Sequence, residues 1–354
     1  MSLLTTIEEP LSEEDYRETF GVVLTSRVRL ARNLRGERFP DRATAEERTK
    51  VLKQVRKAAL AELTVQEELA NQTPLYRQYL FEEHLISRTL LEKRPQSAIC
   101  MDGNKRRVVM INEEDHLRIQ ALRPGLALQE AWADANELDD LLEAKLDYAF
   151  SPTLGYLTSC PTNVGTGMRT SALMHLPGLV LMQELEAIVR GLNKIGLTVR
   201  GRWGEGTAAL GNMFQVSNQI TLGLPEERIV QDLEQIVREL ATHETNARER
   251  FYRERRRAAM DLAGRAEGIL KSARMMTTQE ALERLSDLRL GIALGLTKKI
   301  EMRTVDRLLL EVQPAHLIIL ADRPLNEEKR DAYRADRLRS ELKKRKSRQP
   351  KRTT

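Results

Sequence analysis

Arginines set among turn and polar residues are the first feature of this sequence that could do chemistry. Thr25-Ser26-Arg27-Val28-Arg29 directly follows a strand-like run, and β alternation puts Arg27 and Arg29 on one face. Arg118, Arg169 and Arg200 stand in three further segments, each beside a glycine or a carboxylate. A guanidinium stays charged and grips two phosphate oxygens with parallel hydrogen bonds, so several arginines can replace a glycine-rich phosphate loop. On spacing alone, a solvated strand edge is the simpler account. The common nucleotide signatures are absent: there is no Gly-Lys-Ser/Thr loop and no His-Arg-Asp followed by Asp-Phe-Gly. Gly165-Thr166-Gly167 and Gly204-Glu205-Gly206 could bend backbone around a ligand, but neither completes a dinucleotide fingerprint.

Four segments, taken in order, resemble the signatures of the ATP:guanidino phosphotransferases, the family of arginine and creatine kinases. They are Ser26-Arg27-Val28-Arg29, Asn112-Glu113-Glu114-Asp115-His116-Leu117-Arg118, Cys160-Pro161-Thr162-Asn163-Val164-Gly165-Thr166-Gly167-Met168-Arg169 and Arg200-Gly201-Arg202-Trp203-Gly204-Glu205. The resemblance spans residues 22 to 247. It implies that ATP phosphates are held by Arg27, Arg29, Arg118, Arg169 and Arg200, within the segments Thr25-Ser26-Arg27-Val28-Arg29, Arg169-Thr170-Ser171-Ala172-Leu173 and Arg200-Gly201-Arg202-Trp203-Gly204. It puts His84 near the nucleotide, although Glu82-Glu83-His84-Leu85-Ile86 fits a half-buried structural histidine equally well.

Glu114 and Glu205 follow from the chemistry as well as from the resemblance. A guanidinium is a poor nucleophile, so it must be oriented and must lose a proton as phosphorus is attacked. Two carboxylates can bind the planar fork, aim one nitrogen and accept that proton. Without the flanking motifs, either would read as half of a surface ion pair. Cys160 resembles the family's reactive cysteine, and nearby arginines would favour its thiolate, whereas a lone cysteine is ordinarily an inert core thiol. The histidines show no metal-ligand spacing, so no protein-held metal is expected and Mg2+ should arrive with ATP.

The elements that must position these residues change along the chain. Up to about residue 222, short apolar runs such as Gly21 to Thr25 and Arg107 to Ile111 alternate with helical patterns at Thr44 to Leu60 and Ala127 to Leu146. From Pro225 onward, Ile229, Leu233, Ile236, Val237 and Leu240 recur at helical spacing, and Thr278 to Leu288, Met302 to Leu310 and Asn326 to Lys346 continue the helical pattern. The expected fold is α+β: an antiparallel β-sheet flanked by helices, then an all-α C-terminal domain. The expected limits are an N-terminal extension at 1–21, a catalytic domain at 22–247, a helical domain at 248–342 and a basic tail at 343–354. The charged stretch Arg248-Glu249-Arg250 marks the edge between the two domains, somewhere in residues 247 to 257.

With 31% charged and 41% apolar residues among 354, the composition is that of a globular chain and not a disordered or membrane one. No apolar run nears the roughly 18 residues of a membrane span, the start is acidic, and only Cys100 and Cys160 are cysteines, so a cytoplasmic location with reduced thiols is expected. Much of the net charge of +5 sits in the tail after Leu342, which is expected to be a solvated, disordered end; nucleic acid is not an expected partner.

Only the residues up to Leu24 precede the first arginine segment, whereas metabolic members of the resembled family carry a helical domain there that helps enclose a small substrate. A site left uncovered admits an arginine still attached to a protein, which points to the bacterial protein-arginine kinases. Arg330-Asp331-Ala332-Tyr333-Arg334-Ala335 resembles the phosphoarginine-binding segment of those enzymes, with Arg330, Asp331, Arg334 and Ala335 as its pocket. On a helix, Arg330 and Arg334 share a face, as do the residues of a solvated charged helix. The resemblance further implies protein substrates with exposed arginines, a homodimer, and partners such as an activating zinc protein, a heat-shock repressor and the ClpC/ClpP protease, in stress-linked quality control. The alternatives are a small-molecule arginine kinase and a non-catalytic phosphoarginine-binding adaptor.

Overall fold

Residues 12–19, 21–92, 95–202, 209–297 and 299–343 are described by the structure, a computed structural model. Trp203, Gly204 and Glu205 lie outside the described residues, as does the tail beyond Lys343. A short helix α1 (Glu13–Glu18) precedes β1 (Val23–Arg32), followed by α2 (Ala45–Ala59), β2 (Val65–Glu68), α3 (Pro74–Glu82) and α4 (Arg88–Leu91). Then come β3 (Ala98–Met101), β4 (Arg107–Ile111), β5 (Leu117–Pro124), α5 (Leu128–Glu143) and a hairpin of β6 (Phe150–Ser151) with β7 (Gly155–Tyr156). Next are β8 (Met168–His175), α6 (Pro177–Leu181), α7 (Leu185–Lys194), β9 (Leu197–Gly201) and β10 (Met213–Asn218). The remainder is helical: α8 (Glu226–Glu254), α9 (Arg256–Ser272), α10 (Thr278–Ala293), α11 (Met302–Glu311), α12 (Pro314–Ala321) and α13 (Glu327–Lys343).

Helix α2 illustrates how local sequence sets these limits. Thr44 caps it: the Glu47 N–H donates to the Thr44 hydroxyl at 3.3 Å and the Thr44 N–H to the Glu47 carboxylate at 2.7 Å. Val51, Leu52, Val55, Ala58 and Ala59 form its buried stripe.

Eight strands make one antiparallel sheet in the order β2-β3-β4-β5-β1-β8-β10-β9. Strand alternation gives it two unlike faces. On one, Val28, Leu30, Ile119, Ala121, Ala172, Met174 and Val216 join the main core, packed under helices that include α2, α5 and α8. The other is apolar only at its ends. Ile99, Met101, Val108 and Met110 are covered by residues of α3 and α4 and by Ala315 of α12. Leu173 and Met213 are covered by Leu282, Leu285, Leu308 and Leu309 of α10 and α11. The strip between those covers is left for polar side chains.

The domain edge expected after residue 247 falls inside α8, whose backbone stays helical to Glu254 and breaks at Arg255 (φ −128°, ψ 46°). Ala247, Arg248 and Phe251 are buried, so that charged stretch is no linker. Against α8 sits Gly178, where a Cβ would come within 2.7 Å of the Arg248 nitrogen, and Glu244 accepts the Gly178 and Leu179 N–H groups at 2.8 and 2.9 Å. Among the described residues, no helix is long and apolar enough to cross a membrane.

Polar joints tie the C-terminal helices to the elements before them, two of them centred on Arg289 and His316. Fully buried Arg289 donates to the Gly21 carbonyl and to Asp306, both at 2.6 Å, and lies 3.1 Å from His175, whose Nε2 meets the Ser286 hydroxyl at 2.8 Å. At the second joint, His316 of α12 contacts Glu82 (2.8 Å) and Glu83 (2.6 Å). Burial works against its positive charge, but the two carboxylates outweigh it and push the imidazole up to about 9. A histidine whose folded pKa is raised stabilises the protein fully below its ordinary value of about 6.5, and that contribution is lost as pH rises through about 9. The stability gap between wild type and His316→Gln should therefore shrink by about 3 kcal/mol between pH 6 and pH 9.5, read by urea unfolding at each pH. A constant gap would mean that the imidazole is not the charged partner.

Candidate active site

Strand pairing assembles residues that the sequence keeps far apart. Across β1 and β8, Arg29 opposes Arg169 and Arg27 opposes Ser171. Across β1 and β5, Ala31 opposes Arg118 and Arg29 opposes Gln120. Directly opposite residues share a face, so Arg27, Arg29, Arg118 and Arg169 converge on the open strip. Arg200 reaches the same face through the pairs Leu173 with Gln215 and Gln215 with Arg200, but at the exposed β9 edge. Gly201 ends β9, and Arg202 follows it beside the strip.

The same alternation divides the expected nucleotide set between the two faces. Ser26, Val28, Thr170 and Ala172 turn to the opposite, buried face. The Ser26 hydroxyl donates to the Gly125 carbonyl and accepts the Ala127 N–H, both at 2.9 Å, while Val28 and Ala172 are core residues. These four side chains cannot reach a ligand among the arginines, whereas Thr25, Ser171 and Leu173 can.

The cluster is electrostatically unfavourable without an anion. Burial, then the charges of Arg118, Arg202 and Arg169, lowers the proton affinity of Arg27; burial, then Arg27, Arg118 and Arg169, does so for Arg29. Arg169 is pushed the same way by burial, Arg200 and Arg118. Guanidinium groups do not give up their protons at ordinary pH, so the crowding remains as mutual repulsion. The Arg29 Nε has no hydrogen-bond partner, and Arg118 is offset by Glu113 at 2.9 Å. Glu113, not singled out from sequence, therefore anchors Arg118; burial pushes its carboxyl up, but Arg118, the Ser87 hydroxyl and the Glu114 N–H together outweigh burial and hold it below the usual range.

Two loops bring the remaining chemistry. The β4–β5 turn begins at Asn112 in the left-handed region (φ 55°), with its amide donating to the Arg48 and Gln96 carbonyls. Asp115 ties this turn to the Cys160 loop, accepting from Asn33 at 2.7 Å and the Ser159 N–H at 2.6 Å. The Cys160 loop is also pinned by the Thr221 hydroxyl, which donates to the Thr162 and Val164 carbonyls. Gly165 (φ 112°) runs so close to Thr221 that a Cβ would stand 2.2 Å from its carbonyl oxygen.

Between these pins, Glu114 is half-buried and hydrogen-bonded to Cys160, whose sulfur lies 3.0 Å from the Thr162 hydroxyl. Burial, then Asp115 and Glu113, raises the Glu114 carboxyl above its usual range. Cys100, by contrast, is wholly buried in β3, and burial pushes its thiol up to about 12. Iodoacetamide at neutral pH should modify Cys160 at least about a hundredfold faster than Cys100, followed by peptide mass spectrometry. Equal rates would place Cys160 with the inert thiols.

The strip forms two adjoining hollows. One, enclosing about 770 Å³ including open solvent, is lined by Thr25, Arg27, Glu83, His84, Leu122, Ser171, Leu173, Arg202 and, from α11, Leu310. The other, about 410 Å³, is lined by Arg29, Arg118, Arg169, Glu113, Glu114 and Asn163. A polyanion with an apolar end suits the first and can extend to Arg29, Arg118 and Arg169 of the second, where Glu114 adds a carboxylate for a cationic group. His84 is half-buried in the first wall in a left-handed turn (φ 59°), with its carbonyl held by Gln120 at 2.9 Å. Burial, then Arg202 and Arg27, keeps its imidazole neutral. Among the described residues, no three histidine, cysteine or carboxylate side chains cluster as a metal site.

The residues of the expected phosphoarginine pocket divide between the core and the surface of α13. Arg334 is fully buried and bonded inward to the Val312 and Met276 carbonyls (2.9 and 2.7 Å), the Thr278 hydroxyl (2.7 Å) and Asp331. Ala335 is in the helical core. Arg330 and Asp331 stay half-buried near the surface.

The chain is similar to known proteins over most of its length. A family model described as ATP:guanido phosphotransferase, C-terminal catalytic domain, matches residues 46–247, and one described as protein-arginine kinase McsB C-terminal domain matches residues 256–353. A protein-arginine kinase of Pelotomaculum thermopropionicum is 46% identical over 91% of this chain and 92% of its own length. One of Desulforamulus reducens is 45% identical over 97% and 98%. Among solved structures, a lombricine kinase matches with TM-score 0.55 and 28% identity, covering 63% of this chain and 66% of its own. The duplicated taurocyamine kinase of Schistosoma mansoni, with bound transition-state-analogue components, matches with TM-score 0.60 and 26% identity over 77% of this chain and 40% of its own.

Proposed function

The chain belongs to the protein-arginine kinases of the ATP:guanido phosphotransferase family, and we propose how its own residues carry out transfer of a phosphoryl group from ATP to arginine side chains of proteins. The observation that carries the reading is the adjacency of a cation-lined hollow and a carboxylate-bearing one on a single sheet face.

Arg27, Arg29, Arg118, Arg169, Arg200 and Arg202 hold the phosphates, and neutral His84 with Leu122, Leu173 and Leu310 borders the rest of the nucleotide. Mg2+ comes with ATP, bound by phosphate oxygens and water. The substrate guanidinium enters beside Glu114 and Cys160. As the N–P bond forms and the bond from phosphorus to the bridging oxygen breaks, the attacking nitrogen gives its proton to the Glu114 carboxylate, and ADP leaves with the electron pair. The raised proton affinity of Glu114 suits that base role near neutral pH. Glu205, outside the described residues, is assigned the second grip on the guanidinium on its motif alone.

Incubating a denatured test protein with ATP should yield acid-labile phosphate on arginines by mass spectrometry, and free arginine should be a poor acceptor. Phosphate on free arginine alone would assign the chain to small-molecule kinases. A cytoplasmic location, a homodimer, a role in marking proteins for degradation or silencing a heat-shock repressor, and partnership with a zinc-binding activator and the ClpC/ClpP protease belong to the same proposal. So does a phosphoarginine site in the segment Arg330, Asp331, Arg334 and Ala335, with Arg330 and Asp331 nearest the surface.

A further inference from the structure

Helix α12 belongs to the C-terminal helices, yet its first turn is bonded into one wall of the nucleotide hollow. Glu82, at the end of α3, accepts the Ala315 N–H at 3.0 Å, the His316 N–H at 3.2 Å and the His316 Nδ1 proton at 2.8 Å. The other ring nitrogen, Nε2, meets Glu83 at 2.6 Å. Ionised carboxylates only accept, so an imidazole bonded to one through each nitrogen carries both protons and a positive charge. The Tyr79 ring lies against it at 4.9 Å.

Glu83 is buried and lines the hollow immediately before His84. Its second carboxylate oxygen has no hydrogen-bond partner. A carboxylate in the wall of a site for a polyanion opposes binding unless a fixed cation offsets it. Lys105 and Arg106 also stand near this wall, Lys105 interacting with Glu83 from the β3–β4 turn and Arg106 lining the hollow, while Arg27 and Arg202 face it from the sheet side. His316 stands within hydrogen-bond distance of both Glu82 and Glu83.

We propose that His316 is a positioning residue for nucleotide binding: clamped between Glu82 and Glu83, it neutralises the Glu83 carboxylate and holds the Glu83–His84 turn against the ATP site. The affinity for ATP then depends on a side chain from the C-terminal helices that never touches the nucleotide. This rests on the assignment of the larger hollow to ATP.

The test measures ATP dissociation constants calorimetrically and KM for ATP against kcat on a test protein. His316→Gln should raise both ATP constants about tenfold, the effect of losing roughly one charge-assisted hydrogen bond, with kcat within about threefold of wild type. Adding Glu83→Gln removes the charge that His316 offsets, so the double variant should return to within about threefold of wild type. A purely structural role predicts no such rescue, and absence of rescue overturns the proposal. An equal rise in Ser286→Ala, at the other joint between helices and sheet, also overturns it by pointing to general loosening. Should His316→Gln not fold, the double variant carries the test: it should fold and bind ATP, and its failure to do so overturns the proposal. Arg27→Ala separates the two readings. If it leaves ATP binding intact, the assignment of the hollow is wrong; if it abolishes binding while His316→Gln changes nothing, only the role of His316 falls.

Discussion

Replacing Glu114 by Gln should lower kcat for protein-arginine phosphorylation about a thousandfold, within the range expected for removal of a general base, while the ATP affinity stays within about twofold. Gln keeps the size and can still bond the substrate fork, but it cannot accept the proton that must leave as the N–P bond forms. The carboxyl is half-buried and under repulsion from Asp115 and Glu113. Removing its charge should therefore not destabilise the protein, and the melting temperature should stay within about 2 °C of wild type. Quenched-flow turnover and calorimetric ATP titration on the same preparation check both halves. A kcat reduced less than tenfold would move the proton acceptor elsewhere, and Glu205→Gln is then the variant to compare.

Arg29→Met should move stability and function in opposite directions. The Arg29 guanidinium lies among Arg27, Arg118 and Arg169, and its Nε lacks a partner. An unbranched apolar side chain of similar length removes that repulsion, so the ligand-free variant should melt about 3 °C above wild type. ATP should bind about a hundredfold more weakly, because a phosphate loses a charge-assisted bidentate partner. Saturating ATP stabilises the wild type by about 2.7 kcal/mol at a hundred times its dissociation constant and should barely shift the variant. Differential scanning calorimetry with and without ATP reads all three. A melting temperature lowered like that of an ordinary core truncation would show that the arginine strip is not under strain.

Part of this site was readable from residue types and spacing. Alternation alone put Arg27 and Arg29 on one side of a strand, and the side-chain faces of β1 agree. What alternation could not supply was the register between strands, which sets Arg169 opposite Arg29 and Arg118 opposite Ala31. The same alternation turns the Ser26 and Val28 side chains to the other face. The burial of Arg334 follows a similar rule. Spacing of four gave Arg330 and Arg334 a common face, but Leu338 and Leu342 continue that row, and a row holding two leucines is the buried side of a helix. His316 carried no such signal: it sits in Pro314-Ala315-His316-Leu317-Ile318-Ile319, and its partners come from α3. Contacts between elements so distant in the chain are fixed by topology, which no local pattern encodes.

The position of β1 within the sheet also bears on the order of events during synthesis. Strand β1, ahead of the other described strands in the chain, is central, between β5 and β8, with Arg29 opposite Gln120 and Arg169. Its hydrogen-bonding edges must wait until much of the sheet has been made, while β3, β4 and β5 can pair through short turns as they emerge. The like charges of Arg27, Arg29 and Arg32 then act before any catalysis does, by discouraging the waiting strand from pairing with a copy of itself on a neighbouring nascent chain.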